Sequence, residues 1–143
     1  MNQSAWIGVT VSVFASVIFL LLARSIVLYV KKRSALKGSA RLNDYEIRFL
    51  PVSKKKKNPH PQYVFAKKGG KVLSINTTHE KPFGKGVIKL SHNPDPSDKR
   101  KTFAVKEIHE TDKKIAKKQK NKRNDGWSYE KADIQKMEKW LNK

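Results

Sequence analysis

Residues 5–23 read AWIGVTVSVFASVIFLLLA, a run of 19 residues without a charged side chain. As an α-helix that rises about 1.5 Å per residue, this run extends about 28 Å and matches a hydrocarbon core of about 30 Å. Arg24 follows the run so closely that its guanidinium can reach the lipid headgroups. The sequence therefore predicts a transmembrane anchor over residues 1–30.

A cleaved signal peptide is the competing interpretation of this run. Such a peptide has a basic start, a shorter apolar core and a small-x-small cleavage site. Here residues 1–4 carry no basic side chain, and Leu22-Ala23-Arg24 is a poor cleavage site. We therefore expect an uncleaved anchor.

Basic residues flank the run on one side only. Lys and Arg beside a span stay in the cytosol, and here all of them follow the span. This predicts a single-pass protein of the cell membrane with its N-terminus outside, a basic linker over residues 31–43 and a cytosolic domain over residues 44–143. The residues predicted at the membrane interface are Trp6, Arg24, Tyr29, Lys31, Lys32 and Arg33.

Net charge points to the class of partner. The chain has 32 Lys and Arg against 12 Asp and Glu, and residues 31–143 hold 31 of the basic and all 12 of the acidic residues, a net charge of +19. Such an excess predicts polyanionic partners: anionic lipid headgroups, nucleic acid or an acidic protein face. Lys carries a hydrated point charge, whereas the planar guanidinium of Arg binds anions with a specific geometry. The Lys-rich balance therefore favours loose electrostatic binding.

The remaining pattern predicts a small α+β domain. Alternating apolar residues predict strands at 45–52, 62–67, 71–76, 86–91 and 102–109, with Gly69-Gly70 turning a hairpin. Residues 128–141 predict a closing helix with Ser128 as its N-cap, and residues 112–123 are either a solvated helix or disordered. The expected fold is a single N-terminal transmembrane helix plus an antiparallel sheet of four to five strands with a C-terminal helix.

Two clusters of lysines are the predicted polyanion-binding residues. The first lies in a loop and the second in the polar stretch before the closing helix; they comprise Lys54, Lys55, Lys56, Lys57, Lys113, Lys114, Lys117 and Lys118. Aromatic rings among basic side chains can stack bases, although several of them are also the natural core of so small a domain. These rings are Tyr63, Phe65, Phe83, Phe103, Trp127 and Tyr129.

Signals for catalysis are weak, so the chain is not expected to be an enzyme. Cysteine is absent, no two histidines have metal-ligand spacing, and no glycine loop has phosphate-binding spacing. We therefore expect neither metal nor cofactor. Metal-free RNA cleavage remains open through His79, the one weak catalytic candidate. The side chains that would assist it are Glu80, Lys89, Arg100 and Lys106.

Several short motifs resemble those of a class of bacterial proteins. The segments Tyr63–Gly69, Gly86–Leu90, Asn93–Pro96 and Gly126-Trp127 before a closing helix resemble small Lys-rich proteins of plasmids, phages and conjugative elements in low-GC Gram-positive bacteria. Some sheet domains of that setting look like toxin ribonucleases of the barnase, colicin and RelE type. This chain departs from them by placing its clearest soluble helix after the sheet, and no catalytic residue is carried over.

Three hypotheses follow for function. The first is a membrane-tethered basic domain that binds a polyanion, with nucleic acid favoured, at the cytosolic face of the membrane. The second is a membrane-anchored, metal-free ribonuclease or toxin. The third is a scaffold subunit of a membrane assembly that docks an acidic partner.

Overall fold

The computed structural model describes residues 3–51, 59–118 and 127–143. The chain divides into two compact units, residues 1–37 and residues 38–143. The first is a single helix and the second a sheet domain, and each is described by itself.

Helix α1 (Gln3–Leu36) is long and apolar enough to cross a membrane. Its large apolar side chains from Val11 to Val30 are exposed, as a lipid-facing helix requires. The hydroxyls of Ser16 and Ser25 donate to carbonyls four residues earlier, at 2.8 and 2.9 Å. These bonds satisfy polar groups that hydrocarbon would not solvate.

The helix continues further than the apolar run. Residues 31–36, assigned to a linker in the sequence analysis, form the last turns of α1, and strand β1 begins at Ala40. Gly38 adopts a φ of +72°, a left-handed conformation that favours glycine and ends the helix. Little of the 31–43 segment is therefore irregular.

Five antiparallel strands form the sheet, which confirms the predicted fold class. In chain order they are β1 (Ala40–Pro51), β2 (Pro59–Lys68), β3 (Lys71–Thr78), β4 (Val87–Lys89) and β5 (Phe103–Asp112). Their spatial order is β1-β2-β3-β5-β4, so β4 is an edge strand of three residues. The hairpin of β2 and β3 turns at Gly69, whose φ is +55°.

Both faces of the central hairpin are covered. Residues 62–66 and 72–75 are all buried. On one face, Leu50, Val64 and Val72 pack with Ala116 of helix α2 (Lys113–Lys118). This short helix lies in the polar stretch for which the sequence left a solvated helix or disorder open.

Helix α3 (Lys131–Leu141) is tied to the other face of the sheet. The Tyr63 hydroxyl donates to Glu138 Oε1 at 2.8 Å. Arg41 donates to the same carboxylate at 3.4 Å, and its guanidinium lies 5.0 Å from the centre of the Phe65 ring. The buried residues of α3 are Asp133, Ile134, Met137 and Leu141.

The predicted N-cap of the closing helix is wrong. Glu130 is the N-cap residue, and its side chain makes no capping hydrogen bond. Ser128 instead donates its backbone N–H to the carbonyl of Pro94 at 3.1 Å, so it joins the loop before α3 to the loop after β4. The N-cap therefore lies two residues later than the sequence predicts.

Asp133 is a buried carboxylate that fastens α3 to the end of β4. It is 1 % exposed and accepts hydrogen bonds from the backbone N–H groups of Ser91 (2.7 Å) and His92 (3.2 Å) and from Lys136 Nζ (2.7 Å). Burial alone would raise the pKa of Asp133, but these donors outweigh it and hold that pKa below its ordinary value.

Removing this carboxylate is expected to loosen the domain. Asp133→Ala leaves two backbone donors without their partner and should lower the free energy of unfolding by about 2–3 kcal/mol. The control Lys136→Met removes only the half-exposed partner and should cost less than about 1 kcal/mol. Denaturant unfolding of both variants measures this difference, and equal losses would contradict the assigned role.

The same contact predicts a pH dependence. Because the pKa of Asp133 is lower in the folded than in the unfolded chain, its stabilisation is present above pH ~4 and is lost as pH falls through the folded pKa. Asp133→Asn should remove that part of the acid dependence. Thermal unfolding between neutral and acidic pH measures it, and an unchanged profile would contradict the assignment.

Candidate functional site

The edge of the sheet at β4 collects positive charge. Seven basic side chains lie on β4, on its neighbour β5 and on the two loops beside β4, and all seven are exposed. We call this set the basic edge; it comprises Lys81, Lys85, Lys89, Lys99, Arg100, Lys101 and Lys106. Only two carboxylates, those of Asp95 and Asp98, fall within the same stretch of sequence.

Two clefts border the basic edge. The loop cleft has a volume of about 420 Å³ and is lined by β4 and by the loop between Leu90 and Thr102. The histidine cleft has a volume of about 230 Å³. Its lining residues are His60, Asn76, Thr78, Pro82, Lys85, Val105, Glu107 and His109.

An ion cluster closes one side of the loop cleft. Arg100 binds the Asp98 carboxylate with its NH2 group at 2.6 Å, and His79 Nε2 lies 3.3 Å from the same carboxylate. The hydrogen bonds from Arg100 hold the pKa of Asp98 well below its ordinary range. His79, the predicted catalytic candidate, therefore lies between two loops, with its Nδ1 3.4 Å from the carbonyl oxygen of Lys101.

The predicted assistants of His79 are spread along this edge. Lys89 and Arg100 line the loop cleft. The backbone N–H of Lys106, on β5, donates to the Gly86 carbonyl at 2.8 Å, just before the start of β4. The backbone N–H of Glu80 donates to the Thr78 hydroxyl at 3.3 Å. The structure places these residues in one region but gives His79 an acidic partner, Asp98, rather than Glu80.

The histidine cleft holds a chain of titratable groups. Lys85 Nζ donates to Glu107 Oε2, and His109 Nε2 lies 3.9 Å from that oxygen. Burial lowers the pKa of His109, while the Glu107 carboxylate raises it and the Lys85 ammonium lowers it. The net lowering favours the neutral form of the imidazole, which can accept a proton.

Asn76 gives this cleft an unused hydrogen-bonding group. Its Oδ1 atom is buried and has no hydrogen-bond partner among the described residues. Buried acceptors are nearly always paired, and an unpaired one costs about 1–3 kcal/mol.

The balance of charges around His109 is testable. Its pKa should lie below the ordinary value of about 6.5. Glu107→Gln removes the charge that raises this pKa and should lower it further, whereas Lys85→Met should raise it. NMR titration of the His109 ring protons measures all three values, and an upward shift in Glu107→Gln would contradict the contact.

Phe83 is the exposed member of the predicted aromatic set. Its side chain is fully exposed, whereas Tyr63 and Phe65 are buried. Burial also raises the pKa of Tyr129, whose ring meets that of Tyr63 edge-on with 5.7 Å between centroids. Tyr63, Phe65 and Tyr129 therefore belong to the packed interior, and Phe103 and Trp127 are half-buried.

The predicted polyanion-binding lysines lie elsewhere. Residues 54–57 are outside the described residues. Lys113 and Lys114 are exposed at the start of α2, and Lys117 and Lys118 complete that helix. The predicted interface residues Trp6, Arg24, Tyr29, Lys31, Lys32 and Arg33 all lie in α1.

Sequence reasoning did not select the basic edge as a unit. Its seven members are spread over 26 residues, from Lys81 to Lys106, with no run longer than the three of 99–101. The pairing of β4 with β5 brings them together. The available signal was local: Lys81-Pro82-Phe83-Gly84-Lys85 places a ring between two lysines on a turn.

Among the residues that the structure describes, no group of three or more His, Asp or Glu side chains is placed to hold a metal ion. No protein-family model, curated protein or solved structure matches this chain.

Proposed function

We propose that this protein is a membrane-tethered basic domain that binds nucleic acid at the cytosolic face of the membrane. The observation that supports this best is the basic edge, where exposed cations surround two clefts. Phosphate neutralisation by Lys and Arg supplies most of the affinity in sequence-independent nucleic-acid binding.

The ion pairs of the domain leave its excess charge in place. Carboxylates of the domain pair internally, as Glu110 does with Lys71 (2.8 Å) and Glu138 with Arg41 (3.4 Å). With 31 basic and 12 acidic residues after the anchor, pairing every carboxylate would still leave 19 cations. The proposal includes the lysines of α2 and of residues 54–57 as further phosphate contacts.

The proposed orientation places residue 4 outside the cell and the sheet domain inside. The chain lacks cysteine, so single-cysteine variants give clean labels. A membrane-impermeant maleimide should label Ser4→Cys in intact cells and Ser128→Cys only after lysis. Labelling of Ser128→Cys in intact cells would contradict the orientation, and release of the protein by alkaline carbonate would contradict the anchor.

Binding is expected to depend on the basic edge. The full chain in a zwitterionic detergent should bind a fluorescent single-stranded oligonucleotide with an affinity that falls steeply with salt. The triple variant of Lys81, Lys89 and Lys101 to Gln should weaken that binding about tenfold or more at low salt. Fluorescence anisotropy across a salt series measures both.

The matched control removes the same charge elsewhere. Changing Lys131, Lys139 and Lys143 to Gln alters net charge equally but touches only α3 and the C-terminus. It should weaken binding less than about threefold. Equal losses in both triples would contradict a localised site. Absence of salt-dependent binding in the wild type would contradict the proposal and favour the scaffold with an acidic protein partner.

The histidine cleft favours one second candidate, metal-free cleavage of RNA. Neutral His109 is suited to accept the proton of a ribose 2′-hydroxyl, and Lys85 to stabilise charge on the phosphate. This reading moves the catalytic candidate from His79 to His109. Cleavage of bound RNA, and its loss in His109→Gln but not His79→Gln, would support it; intact RNA would remove it.

A further inference from the structure

The turn before β4 presents one aromatic ring to solvent. Phe83 lies between Pro82 and Gly84, and the backbone N–H of Lys85 donates to the Pro82 carbonyl at 3.4 Å. Gly84 has a φ of +66°, which fixes the turn. The turn therefore holds the ring outward, where its faces contact only water.

The surroundings of this ring distinguish it from a scattered surface phenylalanine. Lys81 and Lys85 are exposed on either side of it. Pro82 and Lys85 also line the histidine cleft, so the turn that carries Phe83 borders that cleft. Asn76 is among the residues that line this cleft.

We propose that the Phe83 turn and the histidine cleft form a binding site for an unpaired nucleotide of a single strand. One base stacks on the Phe83 ring, and the adjoining phosphates face Lys81 and Lys85. The neighbouring nucleotide enters the histidine cleft, beside Asn76 and Lys85. This inference rests on the proposed function and names its ligand: single-stranded rather than duplex nucleic acid.

The chemistry of the site favours a nucleotide over a lipid. Segments that insert into a membrane interface use several apolar residues on one face, whereas residues 79–86 contain one aromatic ring among polar and charged neighbours. A base offers both a π face and N–H groups, and stacking on aromatic rings is the common mode of single-strand binding.

A double-mutant-type cycle, in which one change is made in the protein and one in the ligand, tests the stacking directly. The full-length wild type and Phe83→Ala, both in zwitterionic detergent, are titrated with a DNA strand of about 12 nucleotides and with the same strand made abasic throughout. Phe83→Ala should weaken binding of the normal strand about tenfold or more. It should change binding of the abasic strand less than about twofold, since the phosphates are unchanged.

Two controls show that the loss is local. Ile115→Ala shortens another exposed apolar side chain, on α2, and should bind like the wild type. The slope of log affinity against log salt should stay the same in Phe83→Ala, because no phosphate contact is lost. Since Phe83 is exposed, the variant should also keep the wild-type unfolding midpoint.

The outcomes separate this inference from the proposed function. Salt-dependent binding that is identical in wild type and Phe83→Ala would overturn the Phe83 site and leave the basic edge intact. So would equal losses on the normal and the abasic strand. Failure of the wild type to bind either strand would overturn the proposed function itself. The chain already contains Trp6, Trp127 and Trp140, so the probe is the difference in emission between Phe83→Trp and the wild type. A difference spectrum that shifts to the blue in anionic nanodiscs, with no response to DNA, would assign the ring to lipid.

Discussion

Burial of the β2–β3 hairpin on both faces is the constraint on which the rest of the domain depends. One face packs through Leu50 and Val64 against α2, and the other lies beneath α3, so the middle of the sheet has no surface left for charge. A domain of this size can bury few residues, and many of those it buries lie in this hairpin. Its exposed cations are therefore confined mostly to helix surfaces, loops, the ends of strands and the β4 edge.

That confinement links folding to the candidate site. The three-residue strand β4 has little sheet of its own, and Asp133 holds the chain just beyond it by accepting the N–H groups of Ser91 and His92. The same loop returns through Lys99, Arg100 and Lys101 to β5. Because α3 anchors one end of the loop, the exposed cations occupy a defined place beside two clefts. A flexible polyanion would therefore bind to a preformed surface.

The sequence predicted the helices and strands, which depend on local residue patterns. It did not predict the contacts between residues that are distant in sequence, which depend on how the strands and loops pair. The apolar run, the Gly69 turn and alternation along the strands were enough for α1, the hairpin and the five-stranded sheet. The start of α3 was misplaced because Ser128 is a good cap by type, yet its backbone is committed to Pro94. His79 stood out beside Glu80 in the sequence, whereas Asp98, 19 residues further on, is its partner in space. Runs of consecutive lysines are visible in the sequence itself. The members of the basic edge are dispersed in sequence, so they can be recognised as one surface only when the strand order is known.

The most direct measurement is a map of amide chemical shifts in the full-length, isotope-labelled protein in zwitterionic micelles as a single-stranded oligonucleotide is added. The largest shifts should fall on residues 79–89, 99–101 and 106, which contain the basic edge. Shifts confined to residues 54–57 or to α2 would contradict the assignment of the basic edge, and a spectrum unchanged by the oligonucleotide would contradict nucleic-acid binding.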